Sequence, residues 1–230
     1  MQPYLFPYLG YFQLIQAVDR FVVYDDVAFI KQGWINRNRM LINGAASFFT
    51  VPVKDASSYR LICDTFIDDD RQHARWPEKL LKSFDTAYRR APEFANVFPL
   101  LESVFAGKPA RIAELAVASL KAVARFLEIK TTFVESSSIY ANAHLKSDER
   151  VLAICAAEQA TEYVNLPGGR SLYAAERFEA RGIALAFLEP RPIEYRQFDS
   201  AFVPWLSIVD VLMFNPIEAV RGYLDAFDRK

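Results

Sequence analysis

The chain has 230 residues, 52% of them hydrophobic and 14% aromatic, which is enough apolar mass for a packed core and far from the composition of disorder. With 27 basic and 28 acidic residues the formal net charge is -1, so no overall field draws the protein to nucleic acid or to an anionic membrane surface. Cys63 and Cys155 lie far apart and outside any C-x-x-C spacing, which argues against a disulfide framework or a thiolate zinc site and fits a reducing, cytoplasmic location.

In chain order, residues 1–10 read as a Pro-punctuated loop, 11–18 as a short helix and 21–24 as a strand. The first charge is Asp19, so the basic opening of a signal peptide is missing, and no uncharged run is long enough for direct membrane insertion. A loop, helix, strand order normally follows an apolar strand, and an opening on Gln2-Pro3 gives the expectation that this first strand is missing. Residues 39–42 and 47–53 flank Asn43-Gly44, a pair suited to the positive φ angles of a tight turn, and predict a hairpin with a further strand at 60–67.

Between residues 68 and 127 the apolar positions recur at three and four, which predicts helices at 72–90, 92–105 and 109–127 forming a helical insert. Alternation then resumes with strand 131–135, helix 147–159, strand 162–165, helix 171–181 and strand 183–188. That rhythm predicts an α/β fold: one domain over 1–230, three-layered, with a mostly parallel sheet, helices on both faces, the hairpin and the helical insert at 68–127.

Several stretches carry chemistry. The loop over residues 2–11 packs Gln2, Tyr4, Tyr8 and Tyr11 among two prolines and a glycine, which reads as a stiff ligand wall or as a surface loop covering the core. Asp25 and Asp26 end the first strand and offer a metal–phosphate ligand, a general base or a hydroxyl acceptor, unless they cap a turn or pair with Arg37 or Lys31. Lys31, Arg37 and Arg39 form a basic loop interleaved with Trp34, Asn36 and Asn38; guanidinium forks match phosphate or carboxylate oxygens and an indole can stack on a ring.

Asn165, Gly168 and Gly169 join a strand to a helix and either cradle an anion on free N–H groups or form a plain turn. His73 and His144 form no H-x-x-x-H pair, so no histidine metal site is expected, and 136–138 is a serine cluster without a G-x-S-x-G elbow. Trp205, Leu206, Val209, Leu212 and Met213 read as core, with an oligomer face and hence a homodimer as the alternative.

Together, QPYLFPYLGYFQLI (2–15), DRFVVYDDVAFIKQGWINRNRM (19–40), AYRRAPEF (87–94), YVNLPGG (163–169) and FVPWLSIVDVLMFN (202–215) resemble the WbqC-like family of bacterial and archaeal proteins. The resemblance implies a product of O-antigen or other surface-polysaccharide gene clusters, where nucleotide-linked sugars are built and decorated. The chain departs from the family pattern at its opening and at Leu80, where many relatives carry a histidine. The opening order also looks distantly similar to nucleotidyltransferase-like α/β enzymes, without their H-x-G-H motif.

The site expected from these residues has Asp25 and Asp26 as catalytic residues, one of them the general base, and Lys31, Arg37 and Arg39 on the phosphates or carboxylate of a nucleotide-linked ligand. Trp34 and the tyrosines pack its ring, and Asn165, Gly168, Gly169, Asp210 and Asn215 close the far side. The expected chemistry is group transfer onto an amino or hydroxyl group of a nucleotide-linked sugar, with no cofactor named. A magnesium-dependent nucleotidyltransferase and a non-catalytic binding or scaffold protein of the same pathway are the competing readings.

Overall fold

A computed structural model describes residues 1–70, 73–198 and 201–230. The loop at the start leads into helix α1 (Leu9–Gln16), whose residues 10–15 are all buried, and then into strand β1 (Arg20–Val22). Gly10 is required there: a Cβ would lie 2.5 Å from Tyr8 Cε2 and 2.8 Å from Pro190 Cγ, so only hydrogen fits.

Strands β2 (Arg37–Ile42) and β3 (Ala45–Thr50) form the predicted antiparallel hairpin, with Ile42 opposite Ala45 and Arg37 opposite Thr50. Asn43 (φ 49°) and Gly44 (φ 75°) are both left-handed, the geometry that matches the twist of the two strands. Gly44→Val is expected to cost about 1–2 kcal/mol, since a β-branched side chain resists this conformation; urea denaturation measures it, and a neutral result would show that the turn adapts.

Residues 60–67 do not form the expected strand. They make only isolated bridges, Ala28 with Leu61, Val53 with Ile67 and Phe66 with Arg111, because no continuous partner strand lies alongside. Helices α2 (Trp76–Tyr88), α3 (Phe94–Ala106) and α4 (Ile112–Phe126) follow in the predicted order. The expected start of the first at Gln72 lies outside the described residues. α4 buries Ile112, Leu115, Ala116, Leu120 and Val123 on one face, and α2 buries Leu80 and Phe84.

Strand β4 (Thr132–Val134) pairs parallel to β1, with Phe21 opposite Phe133. Helix α5 (Ser147–Ala157) leads to β5 (Glu162–Asn165), a 3₁₀ turn and a short helix α6 (Ala175–Glu179) in place of the single helix expected at 171–181. The 3₁₀ turn over Pro167–Leu172 runs into the start of the expected helix, and α-helix begins only at Ala175; Leu166, before the proline, is extended. Strand β6 (Ala184–Pro190) is parallel to β5 and antiparallel to β7 (Phe227–Arg229). Helices α7 (Ile208–Phe214) and α8 (Ile217–Leu224) lie between these strands in the sequence.

The fold thus mixes helices with strands, but the named strands fall into three small sheets, β1-β4, β2-β3 and β5-β6-β7, where one mostly parallel sheet was expected. A large apolar cluster runs from Leu5 to Leu224 through the hairpin, α2, α3, α4 and α7, and a smaller one joins Leu152, Cys155, Phe178 and Ile183. Every residue of α7 is buried, so Val209, Leu212 and Met213 are core as expected. Trp205 is not: it is 66% exposed, with φ 61°, because residues 201–205 form an irregular segment ahead of that helix. Among the described residues no helix is long and apolar enough to cross a membrane.

Candidate functional site

The opening loop is pinned from four directions. Asn38 Nδ2 donates to the carbonyls of Leu5 (3.1 Å) and Phe6 (3.0 Å), and Leu5 N–H donates to Trp34 O. Ser207 Oγ donates to Phe6 O (2.7 Å), Ile208 N–H to Pro7 O, and Phe6 N–H to Ser119 Oγ (3.1 Å). These bonds hold Phe6 at φ 42°, a costly conformation for a bulky residue, with its ring fully buried. The loop is therefore a rigid wall, and Tyr4 and Tyr8 project from it.

That wall bounds a cavity of about 1240 Å³. It is lined along β1 by Arg20, Phe21 and Val22, along β5 by residues 162–164, and by Arg229 of β7. Arg20 and Arg229 are ion-paired with Glu158 and Glu162. A second set of lining residues, Tyr4, Tyr8, Trp34, Asn38, Arg39 and Trp205 with Asn165, Gly168 and Gly169 at and beyond the C-terminal end of β5, forms the part termed its mouth. The crevice past the carboxyl ends of parallel strands is where α/β proteins hold ligands.

Arg39 stands at the mouth. One Nη donates to Trp205 O (2.7 Å), the guanidinium carbon lies 5.8 Å from the Trp34 ring, and Nε is buried with no hydrogen-bond partner. The Tyr8 ring meets Trp205 edge to face at 6.0 Å. Burial raises the pKa of Tyr4 and Tyr8, Tyr8 further through its neighbour Tyr4, so both hydroxyls stay protonated as donors. Across the mouth Asn165 Nδ2 donates to Tyr163 Oη and Tyr163 Oη to Tyr173 Oη, each at 3.1 Å. Gly169 sits so close that a Cβ would lie 2.7 Å from Asn165 Nδ2, whereas Gly168 faces open space.

The other predicted residues lie elsewhere. Asp25 accepts from Ser136 Oγ (2.8 Å) and Ser137 N–H (3.1 Å), and Asp26 from Ser137 Oγ and the buried Arg150. Burial raises the Asp25 pKa, opposed by those two serine donors. The strand stops at Val22, short of the expected Tyr24, so Asp25 and Asp26 lie beyond β1 in irregular backbone, and their carboxylates turn to the serine cluster after β4 and to α5 instead of lining the cavity. Arg37 is used on the carbonyls of Gln32 and Gly33 and over the Phe48 ring at 4.5 Å, and Lys31 is exposed; neither lines the cavity.

Asn36 donates to Val51 O and fastens the hairpin; Tyr11 is fully buried and donates to Gln2 O (2.6 Å), while Gln2 itself lines the cavity. Asp210 and Asn215 are in the core, and Asn215 borders a separate cavity of about 290 Å³. Trp205, Tyr24, Tyr163 and Tyr173 line the main cavity without having been expected there, since the direction of each ring is set by distant parts of the chain. On the surface, His73 Nδ1 lies 3.0 Å from Asp68 Oδ2 and 3.2 Å from Asp70 Oδ1, an exposed cluster away from the cavity.

Fold and cavity together define a mixed α/β protein with a ligand-sized crevice, aromatic at its mouth and served there by one guanidinium. The chain belongs to the WbqC-like protein family, whose model matches residues 2–222. It is similar to "Uncharacterized protein Rv1507c" of Mycobacterium tuberculosis (strain ATCC 25618 / H37Rv), 31% identical over 222 residues that cover 95% of this chain and 93% of the relative. No solved structure matches the chain.

Proposed function

We propose that the protein is a group-transfer enzyme of surface-polysaccharide synthesis of the O-antigen type, acting in the cytoplasm on an amino or hydroxyl group of a nucleotide-linked sugar held in this cavity. The observation that carries the reading is the mouth itself: tyrosines and tryptophans that can pack a ring, beside a guanidinium suited to an anion, with Asn38 and Asn165 taken up in holding its walls. In this reading Asp25 and Asp26 fix the ends of β1 and β4 and shape the crevice from behind. Their engagement with Ser136, Ser137 and Arg150 favours one alternative, a non-catalytic ligand-binding protein of the same pathway, over magnesium-dependent nucleotidyl transfer.

Thermal denaturation with nucleotide sugars, acyl or aminoacyl donors and ATP, with and without magnesium, tests the proposal. A true ligand at a hundred times its Kd adds about 2.7 kcal/mol. That corresponds to a rise in Tm of roughly 5–10 °C for a chain of this size. Stabilisation with turnover supports the enzyme, stabilisation without turnover the binding protein, and no stabilisation by any of these compounds sinks both.

A further inference from the structure

Arg39 differs from the other guanidinium groups that line the cavity. Arg20 and Arg229 are each neutralised by a carboxylate, Glu158 and Glu162, whereas among the described residues Arg39 has no carboxylate partner. Among the described residues its guanidinium donates one hydrogen bond, to the main-chain carbonyl of Trp205, and its Nε–H is buried without an acceptor. A buried donor left unpaired loses its hydration for nothing in return, and on a charged group the loss is larger. Backbone strain coincides with this point: Trp205, whose carbonyl Arg39 holds, is in the left-handed region at φ 61° with its side chain largely exposed.

We infer that Arg39 is the anion anchor of the cavity and takes a single oxyanion, a carboxylate or a phosphoryl group, carried at the edge of a ring that packs on Trp34. The inference deepens the proposed function and rests on its placing the ligand in this cavity. A guanidinium presents Nε–H and a neighbouring Nη–H as parallel donors, the fork that two oxygens of one carboxylate or phosphoryl group fit. The guanidinium carbon lies 5.8 Å from the Trp34 ring centroid, so an oxyanion that takes the unpaired Nε–H, and shares with the Trp205 carbonyl the Nη beside it, sits close to a ring packed against the indole. With the neighbouring cations already compensated, the cavity offers no second guanidinium for a further phosphate. A ring bearing one acidic group, as in a uronate or a nucleoside monophosphate, therefore matches it better than a bare diphosphate.

The test follows the Arg39 Nε–H directly by NMR on the full-length, ¹⁵N-labelled protein, the resonance being assigned by its disappearance in Arg39→Lys. Sodium phosphate and sodium acetate are titrated separately at constant ionic strength against sodium chloride. The expected result is a saturable shift of that resonance with phosphate or with acetate and none with chloride, the responding salt identifying the acidic group. Glucuronate and uridine monophosphate should then bind more tightly than glucose and uridine, and Arg39→Ala should weaken the better of the two by about ten- to hundredfold. A resonance that responds to neither salt, or a variant that binds the acidic ring unchanged, overturns the inference. Stabilisation by nucleotide sugars that persists in Arg39→Ala would leave the proposed function standing and remove the anchor. An Arg39 response with no binding of nucleotide sugars would do the opposite.

Discussion

Arg150→Met is expected to destabilise the protein by about 3–5 kcal/mol, because it strands a carboxylate in the interior. Asp26 and Arg150 are ion-paired with side chains only 8% and 5% exposed. The guanidinium also donates from Nε to Asn142 Oδ1 (2.9 Å) and from Nη1 to Asp26 O (3.3 Å), and it lies 4.8 Å from the Tyr24 ring. Among the described residues Ser137 is the one other side chain bonded to the Asp26 carboxylate, too weak a partner for a full buried charge. Urea denaturation of the variant should show the loss, with a fall in Tm of roughly 6–20 °C.

Adding Asp26→Asn should recover part of that loss, since the stranded charge goes with it, and with the Asp26→Asn single variant the cycle measures the coupling of the pair. A loss below about 1 kcal/mol in the single variant would mean that water reaches Asp26 and that the pair is not what ties β1 to α5. The pair matters beyond stability. It holds Asp26 in place beyond β1, and Tyr24, which lines the cavity, is part of the same arrangement.

Asp210→Asn is expected to cost about 3–5 kcal/mol at neutral pH, with a pH dependence that identifies the cause. The carboxylate is fully buried and accepts from Tyr88 Oη (2.9 Å), Tyr195 Oη (2.7 Å) and Gln197 Nε2 (2.6 Å). An amide would point its own N–H groups at donors. Tyr88 cannot simply turn round, because its oxygen already accepts the Leu41 N–H at 2.8 Å. This one residue joins α2, the hairpin, α7 and the 195–197 segment, so the loss is spread over several contacts.

Burial raises the Asp210 pKa above its ordinary 3.8, against the pull of its three donors. The native state therefore keeps its proton to a higher pH than the unfolded chain, and between the two pKa values unfolding releases a proton. Stability from this group falls as pH rises through that window and is largest below the unfolded value. The wild type should gain on Asp210→Asn as the pH is lowered from 7 towards 4. A difference that stays constant with pH would show that Asp210 is ionised throughout and that hydrogen bonding alone accounts for the cost.

The elements that could be read from the chain are those whose cause is local. Apolar residues at three and four wrote α4, the Asn43-Gly44 pair wrote the hairpin, and 162–165 was marked as a strand by its flanks. Residues 60–67 look like a strand on the same criteria, but a strand needs a neighbour, and the chain gives them only single bridges. Of the helix expected at 171–181 only Ala175–Glu179 forms, its beginning taken up by the 3₁₀ turn that runs from Pro167 to Leu172.

Within the proposed site the basic, amide-rich run was visible, but not the direction of each side chain. Arg37 and Arg39 are two residues apart on β2 and share a face, yet one meets Phe48 and main-chain carbonyls while the other reaches the cavity mouth. Nothing in the run separates them. The difference is set by the 201–207 segment, which approaches Arg39 from far along the chain.

By itself the sequence determined the α/β character, the order of most helices and strands, the hairpin turn and the family, because propensity, periodicity and motif act within a few residues. The tertiary structure alone decided that Asp25 and Asp26 are engaged by Ser136, Ser137 and Arg150, that Asp210 is a buried hub and that Trp205 joins Arg39 at the cavity mouth. Each of these depends on partners from roughly a hundred residues away or on desolvation, and burial is a property that a charged side chain acquires only when the rest of the chain closes around it.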